Sequence, residues 1–168
     1  VNCYGGNDGT IFIQAKDGNP VNGIYSFTWN KPVTVINTSN SSTVTNLTAG
    51  TYIVTIKDQY CTKDVSFTIS EPLSPITISA PVIKPVLING QSTGSIEFPT
   101  DPTGGTAGYE YKWTSSDLSF GTKTTKNISG LKAGTYTLEV TDTNFKKTAN
   151  NAGCKLTNIY TVTESDLL

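Results

Sequence analysis

The chain has 168 residues, a formal net charge of −1 and no histidine. So small a net charge supplies no long-range field to attract nucleic acid or an anionic lipid surface, and the lack of His removes the commonest zinc ligand and the usual base partner of a nucleophile. Only 15% of the residues are charged while Thr, Ser, Asn and Gly abound, a balance that suits short strands and turns and not helices. No apolar run approaches the roughly 18 residues of a membrane-spanning helix, so membrane insertion is not expected. There is no Met, and Val1-Asn2-Cys3 leads directly into a landmark that returns later. The sequence is therefore expected to be a piece of a longer protein, with any secretion or anchoring signal outside it.

In chain order, Gly9-Thr10-Ile11-Phe12-Ile13-Gln14-Ala15 alternates with period two and places Ile11, Ile13 and Ala15 on one face of a strand. Asp17-Gly18-Asn19-Pro20 and Asn22-Gly23 break it. Tyr25-Ser26-Phe27-Thr28-Trp29 then stacks three rings on one face, which predicts a core strand and not a sugar-stacking platform. Val33, Val35, Thr43 and Val44 suggest weaker strands around a polar turn. Leu47-Thr48-Ala49-Gly50 turns the chain into a long strand with Tyr52, Val54 and Ile56 inward, and the position of Tyr52 just past the turn fits a tyrosine corner. Val65-Ser66-Phe67-Thr68-Ile69 closes this set before Glu71-Pro72.

The same plan then returns. Ile76-Thr77-Ile78-Ser79-Ala80 reads as an extra leading strand without a counterpart in the first set. After it come Ser95-Ile96-Glu97-Phe98, Tyr109-Glu110-Tyr111-Lys112-Trp113, Leu131-Lys132-Ala133-Gly134-Thr135-Tyr136 and Ile159-Tyr160-Thr161-Val162. Self-similarity on this scale marks one supersecondary plan used twice. The predicted domains are 1–72 and 73–168, joined by a short, rather stiff proline linker at Glu71-Pro72-Leu73-Ser74-Pro75. Six or seven short strands per copy, frequent turn signals and a Trp on a central strand predict an all-β chain of two tandem immunoglobulin-like β-sandwiches.

Cys3 and Cys61 flank the first copy and are candidates for a bridge between its first and last segments, worth about 4 kcal/mol on the chain-entropy model; the alternative is two buried thiols. Cys154 matches Cys61, but Ile88 stands where a partner for Cys154 is expected. The copies differ most between Asp142 and Cys154, where the second has eleven residues against two in the first. Loop tips on rigid scaffolds are where binding usually resides, so Asn144, Phe145, Lys146, Lys147, Asn150 and Asn151 form a candidate binding loop. Other exposed aromatic candidates are Phe12 and Tyr60. Asp8, Asp58 and Asp142 are weak calcium candidates, being carboxylates near strand ends, although Asp-Gly is also a favoured turn pair. No other cofactor is indicated.

Cys3-Tyr4-Gly5-Gly6-Asn7-Asp8-Gly9-Thr10-Ile11, Tyr25-x-Phe27-x-Trp29, Leu47-x-Ala49-Gly50-Thr51-Tyr52 through Asp58, Cys61 and Ile69-Ser70-Glu71-Pro72 resemble the SprB repeat. The second copy resembles it from Gly94 to Asp142 and departs at Ile88 and in the enlarged loop. The resemblance implies arrays in giant Bacteroidetes surface proteins, secretion through the type IX system, an extracellular location, and adhesion linked to gliding motility. It implies no catalytic residues. Neighbouring repeats of the same chain are the expected partners, together with surface polysaccharide or another cell-surface protein bound through end loops.

Overall fold

The computed structural model describes residues 1–143 and 153–165. Every element assigned among them is a strand. The chain divides into two compact units, Val1–Pro72 and Leu73–Leu168. Each is an immunoglobulin-like sandwich of two three-stranded antiparallel sheets.

In unit 1 one sheet is formed by β1 (Gly9–Gln14), β4 (Ser41–Leu47) and β3 (Thr34–Asn37), in the order β1-β4-β3; the other by β2 (Ser26–Trp29), β5 (Gly50–Lys57) and β6 (Thr62–Ile69), in the order β2-β5-β6. The alternation read from the sequence sets the inward rows. Ile11, Val44 and Leu47 from one sheet meet Tyr52 from the other, with Trp29, Val33, Phe67 and Ile69 packed around them.

In unit 2 the sheets are β10 (Ile128–Leu131), β8 (Gly94–Glu97) and β7 (Val82–Lys84), and β12 (Lys155–Val162), β11 (Gly134–Asp142) and β9 (Tyr109–Ser115), in those orders. Trp113 is fully buried, and its ring lies 6.2 Å from Phe98 and 5.9 Å from Tyr160. The Leu-x-Ala-Gly-Thr-Tyr block leads into the middle strand of its sheet in both units, β5 and β11. The tryptophans do not: β2 and β9 are outer members of their sheets. Each indole nitrogen has a partner, Trp29 Nε1 donating to Ser42 Oγ of the other sheet at 3.0 Å and Trp113 Nε1 to the Thr125 carbonyl, in the segment before β10, at 3.0 Å.

The leading strand expected at residues 76–80 is displaced. Only Thr77 pairs there, with Thr103, and the strand that joins the sheet is β7. Pro75 and Pro81 bracket the segment and lack the N–H a ladder needs, so regular pairing resumes only beyond Pro81.

The expected Cys3 to Cys61 bridge is absent. Cys61 is a free, exposed thiol, whereas Cys3 and Cys154 are each disulfide-bonded. Strand direction is the reason. Val1 donates its N–H to the Ser70 carbonyl and Gly5 N–H reaches the Glu71 carboxylate, so Cys3 lies beyond the last residue of β6. Cys61 precedes the first residue of β6. Eight extended residues at about 3.3 Å each separate them by about 25 Å, against a Cα separation of about 7 Å or less in a disulfide.

Candidate binding surface

The ends of each sandwich are built by residues that the two units share. At the corner end, Tyr52 donates its hydroxyl to the Thr48 carbonyl at 2.9 Å and Tyr136 does the same to Lys132 at 2.9 Å. These are tyrosine corners, with the ring in the core and the hydroxyl satisfying turn backbone. Burial raises the Tyr136 phenol above its ordinary range, and the nearby Asp117 adds to that. The same end carries a second shared contact, Gly5 N–H to Glu71 Oε2 at 2.5 Å in unit 1 and Gly90 N–H to Glu164 Oε2 at 3.1 Å in unit 2.

At the opposite end, the Asp that closes the repeated block acts as a clamp. Asp58 Oδ2 accepts the Asn19 N–H at 3.0 Å, and Asp58 Oδ1 accepts Tyr60 N–H at 2.8 Å and Cys61 N–H at 2.6 Å. These bonds, Asn19 first, hold the Asp58 carboxyl below its ordinary range, because each N–H stabilises only the ionised form. In unit 2 the buried Asp142 accepts Thr106 N–H at 2.7 Å and Thr106 Oγ1 at 2.7 Å. A glycine lets each carboxylate approach. A Cβ on Gly18 would lie 2.5 Å from Asp58 Oδ2, and one on Gly105 2.6 Å from Asp142 Oδ2. Tyr25 and Tyr109 complete the set by donating their hydroxyls to the carbonyls of Asp17 and Gly104. Burial raises the Tyr109 phenol, and the Asp142 carboxylate adds to it.

The calcium candidates are therefore not brought together. Asp58 holds the clamp of unit 1, Asp142 the clamp of unit 2, and Asp8 lies at the corner end of unit 1, bonded to the Asn2 backbone at 3.1 Å and to its side-chain amide. No group of three or more His, Cys, Asp or Glu able to hold a metal occurs among the described residues. The candidate loop residues Asn144, Phe145, Lys146, Lys147, Asn150 and Asn151 lie outside the described residues. The flanks of that loop are fixed by Thr143 N–H to the Gly108 carbonyl at 2.8 Å and Asp142 N–H to the Cys154 carbonyl at 2.9 Å.

Phe12 and Tyr60 are exposed, at 61% and 74% of their surface, on β1 and on the turn before β6. The clamp end of unit 1 opens into a cleft of about 510 Å³, lined among others by Ile13, Tyr25, Ile56, Asp58, Cys61 and Val65 but by neither Phe12 nor Tyr60. Sequence reasoning missed this cleft. The signal was the contrast between Asp17-Gly18-Asn19 and Gly104-Gly105-Thr106, which period-two alternation does not weigh.

The SprB repeat family model matches residues 1–34 and 80–118, taking in β1 and β2 of unit 1 and β7, β8 and β9 in unit 2. The matched segments fall one in each unit and together cover less than half of the chain. The matched stretches of the SprB repeat include Gly18 and Gly105, while their carboxylate partners Asp58 and Asp142 fall outside them. No curated protein matches the chain. Among solved structures, a chimeric titin Z1Z2-Z1Z2 tandem is similar over 95% of this chain and 93% of that one, at 13% identity and a TM-score of 0.36. Extracellular domains 3–5 of Drosophila OTK are similar over 92% of this chain and 55% of that one, at 13% identity and a TM-score of 0.37. A C-terminal 282-residue fragment of intimin, solved with the intimin-binding domain of its translocated receptor, is similar over 92% and 56%, at 19% identity and a TM-score of 0.38.

Proposed function

We propose that the chain is a non-catalytic pair of repeat modules from a large bacterial cell-surface adhesin, serving as stiff spacer units that hold a binding region away from the cell. The matched SprB repeat supports a surface adhesin module. Display by the type IX system and a part in gliding motility are the finer form of the same reading, resting on the family resemblance.

The observation that carries the spacer role is how little of the linker is untethered. Residues 70 and 71 are tied into unit 1 by the bonds from Val1 and Gly5, and the Ser74 carbonyl accepts Gly105 N–H of unit 2 at 2.9 Å. Only Pro72 and Leu73 stand between these anchors, and proline fixes its own φ and restricts the residue before it. Small-angle scattering on the whole chain tests this against a variant with Pro72→Gly and Leu73→Gly. A narrow distribution of dimensions that broadens in the glycine variant is the expected result. A wild-type profile already as broad as the variant's defeats the spacer role.

A further inference from the structure

The two sandwiches part company in the connection that leads from the Trp strand to the strand entering the Leu-x-Ala-Gly turn. In unit 1 that connection contains β3, which pairs with β4 on the side away from β1. In unit 2 it spans residues 116–127 and turns to the other sheet, where Lys123 and Trp113 exchange backbone bonds at 2.8 and 3.3 Å. Among the described residues β10 therefore pairs with β8 alone, and its vacated side forms one wall of a cavity of about 250 Å³. Gly130 bulges in that wall at a φ of +69°, where unit 1 has Asn46 at +58°, and leaves it without a side chain.

The opposite wall is a turn held in shape by its own polar groups. Phe120 N–H closes it on the Asp117 carbonyl at 3.0 Å, and Asp117 Oδ1 accepts the Ser119 N–H at 2.8 Å and the Ser119 hydroxyl at 2.7 Å. The Phe120 ring is fixed edge to face against the buried Tyr136 ring at 5.1 Å. Around it stand Ser92, Ser129, the Lys132 ammonium at 3.5 Å from Asp117 Oδ2, and the Lys123 ammonium at 5.9 Å from the centre of the Phe120 ring. Two ammonium groups against one carboxylate make the cavity net positive in a chain of net charge −1. Ser119, through its hydroxyl first and its N–H second, holds the Asp117 carboxyl below its ordinary range, so at neutral pH it accepts hydrogen bonds and donates none. The matching cavity of unit 1, beside Tyr52, is lined by one charged residue, Lys31, whose ammonium lies 4.4 Å from the centre of the Tyr52 ring.

We propose that this cavity of unit 2 binds one acidic sugar residue, a hexuronate of a polysaccharide. A pyranose ring presents an apolar C–H face and a rim of hydroxyls, and small-molecule sites combine an aromatic surface with a few placed polar groups. Phe120 supplies the apolar contact, Asp117 accepts sugar hydroxyls, and Lys123 and Lys132 meet the sugar carboxylate with charge-assisted bonds. Asp117 also sets the selectivity. A bare anion meets it with repulsion alone, whereas a uronate brings hydroxyl donors along with its charge. Both lysines are exposed, which keeps each ionic contact weak, so a single site is expected to bind in the millimolar range. The sugar site is independent of the spacer role, since every residue lining it belongs to unit 2.

The test titrates the isotopically labelled full chain with glucuronate, galacturonate and mannuronate, each against its neutral parent hexose, and with acetate, following backbone amide shifts by NMR. At least one uronate is expected to saturate, with its shifts centred on residues 117–120 and 129–132, and to bind about tenfold or more tighter than its parent hexose and than acetate. A chain carrying both Lys123→Gln and Lys132→Gln is expected to bind that uronate about tenfold or more weaker. Its fold is checked in the same spectra, and the bond from Tyr136 to Lys132 survives the substitution because it uses the backbone carbonyl. Saturable shifts at the cavity that the double variant weakens sustain the proposal. It is overturned if none of the three uronates saturates by about 50 mM, if the shifts centre elsewhere, if acetate or the neutral hexose binds as tightly, or if the double variant binds unchanged.

Discussion

At the scale of single residues, the repeated block and its surroundings are a set of hydrogen-bonded fastenings, and each makes a measurable prediction. Tyr52→Phe and Tyr136→Phe keep the ring and strand a turn carbonyl, so each is expected to destabilise its unit by about 1–3 kcal/mol in urea denaturation. Gly105→Ala puts a methyl against the Asp142 carboxylate at a left-handed φ of +61°, and a loss of about 1–3 kcal/mol is expected. Asp58 predicts a pH effect. Its carboxyl is depressed in the folded unit, so the stability it contributes is present above the ordinary carboxylate range and is lost as pH falls through the depressed folded value. Asp58→Asn should therefore flatten the acid limb of unit 1 stability, followed through Trp29 fluorescence; an unchanged acid limb would contradict the clamp. The tyrosine corners were legible from the position of Tyr52 after its turn. The clamp was not, because Asp58 and Asn19 are 39 residues apart and a lone Asp after a strand reads equally well as a turn residue or a cation ligand.

At the scale of elements, period-two alternation placed the strands well wherever a sheet has one wet face and one dry face. β12 carries the clearest alternation, while β5 and β11, in the middle of their sheets, bury Tyr52 and Val54, and Tyr136, Leu138 and Val140, at alternate positions. β3 is the opposite case: all four of its residues are exposed and it pairs on one side only. Backbone amides of β5 are thus expected to outlast those of β3 by roughly a hundredfold or more in native-state hydrogen exchange, since β3 can open locally while β5 opens only with its unit. Comparable rates in the two strands would show that unit 1 has no graded stability. What alternation could not supply was order across the sheet. A ring-rich strand reads as central because rings need burial, yet β2 and β9 bury theirs from the margin, Trp29 beside Phe67 of its own sheet and Trp113 beside Phe98, just past β8 of the other sheet. The prolines around residues 76–80 likewise outweighed a good alternating pattern, because a ladder requires donors as well as side chains.

At the scale of the whole molecule, duplication and the two-sandwich architecture were legible from repeated landmarks alone, whereas cysteine chemistry was not. Pairing by proximity in the repeat plan ignored that β6 carries the chain from one end of the sandwich to the other. With three cysteines in the chain, one free and two bonded, a thiol titration should find one reactive group before reduction and three after reduction in denaturant. Two or more before reduction would contradict the bonding described. One further consequence concerns mechanical load. In unit 2 the incoming segment at Val86 and the outgoing segment at Glu164 run side by side in a parallel bridge, with Val86 N–H on the Thr163 carbonyl and Ser165 N–H on the Val86 carbonyl. Tension drawn through the two ends of that unit pulls these segments lengthwise past one another. Their hydrogen bonds are then stressed together and not peeled one at a time, which raises the unfolding barrier that governs survival under force.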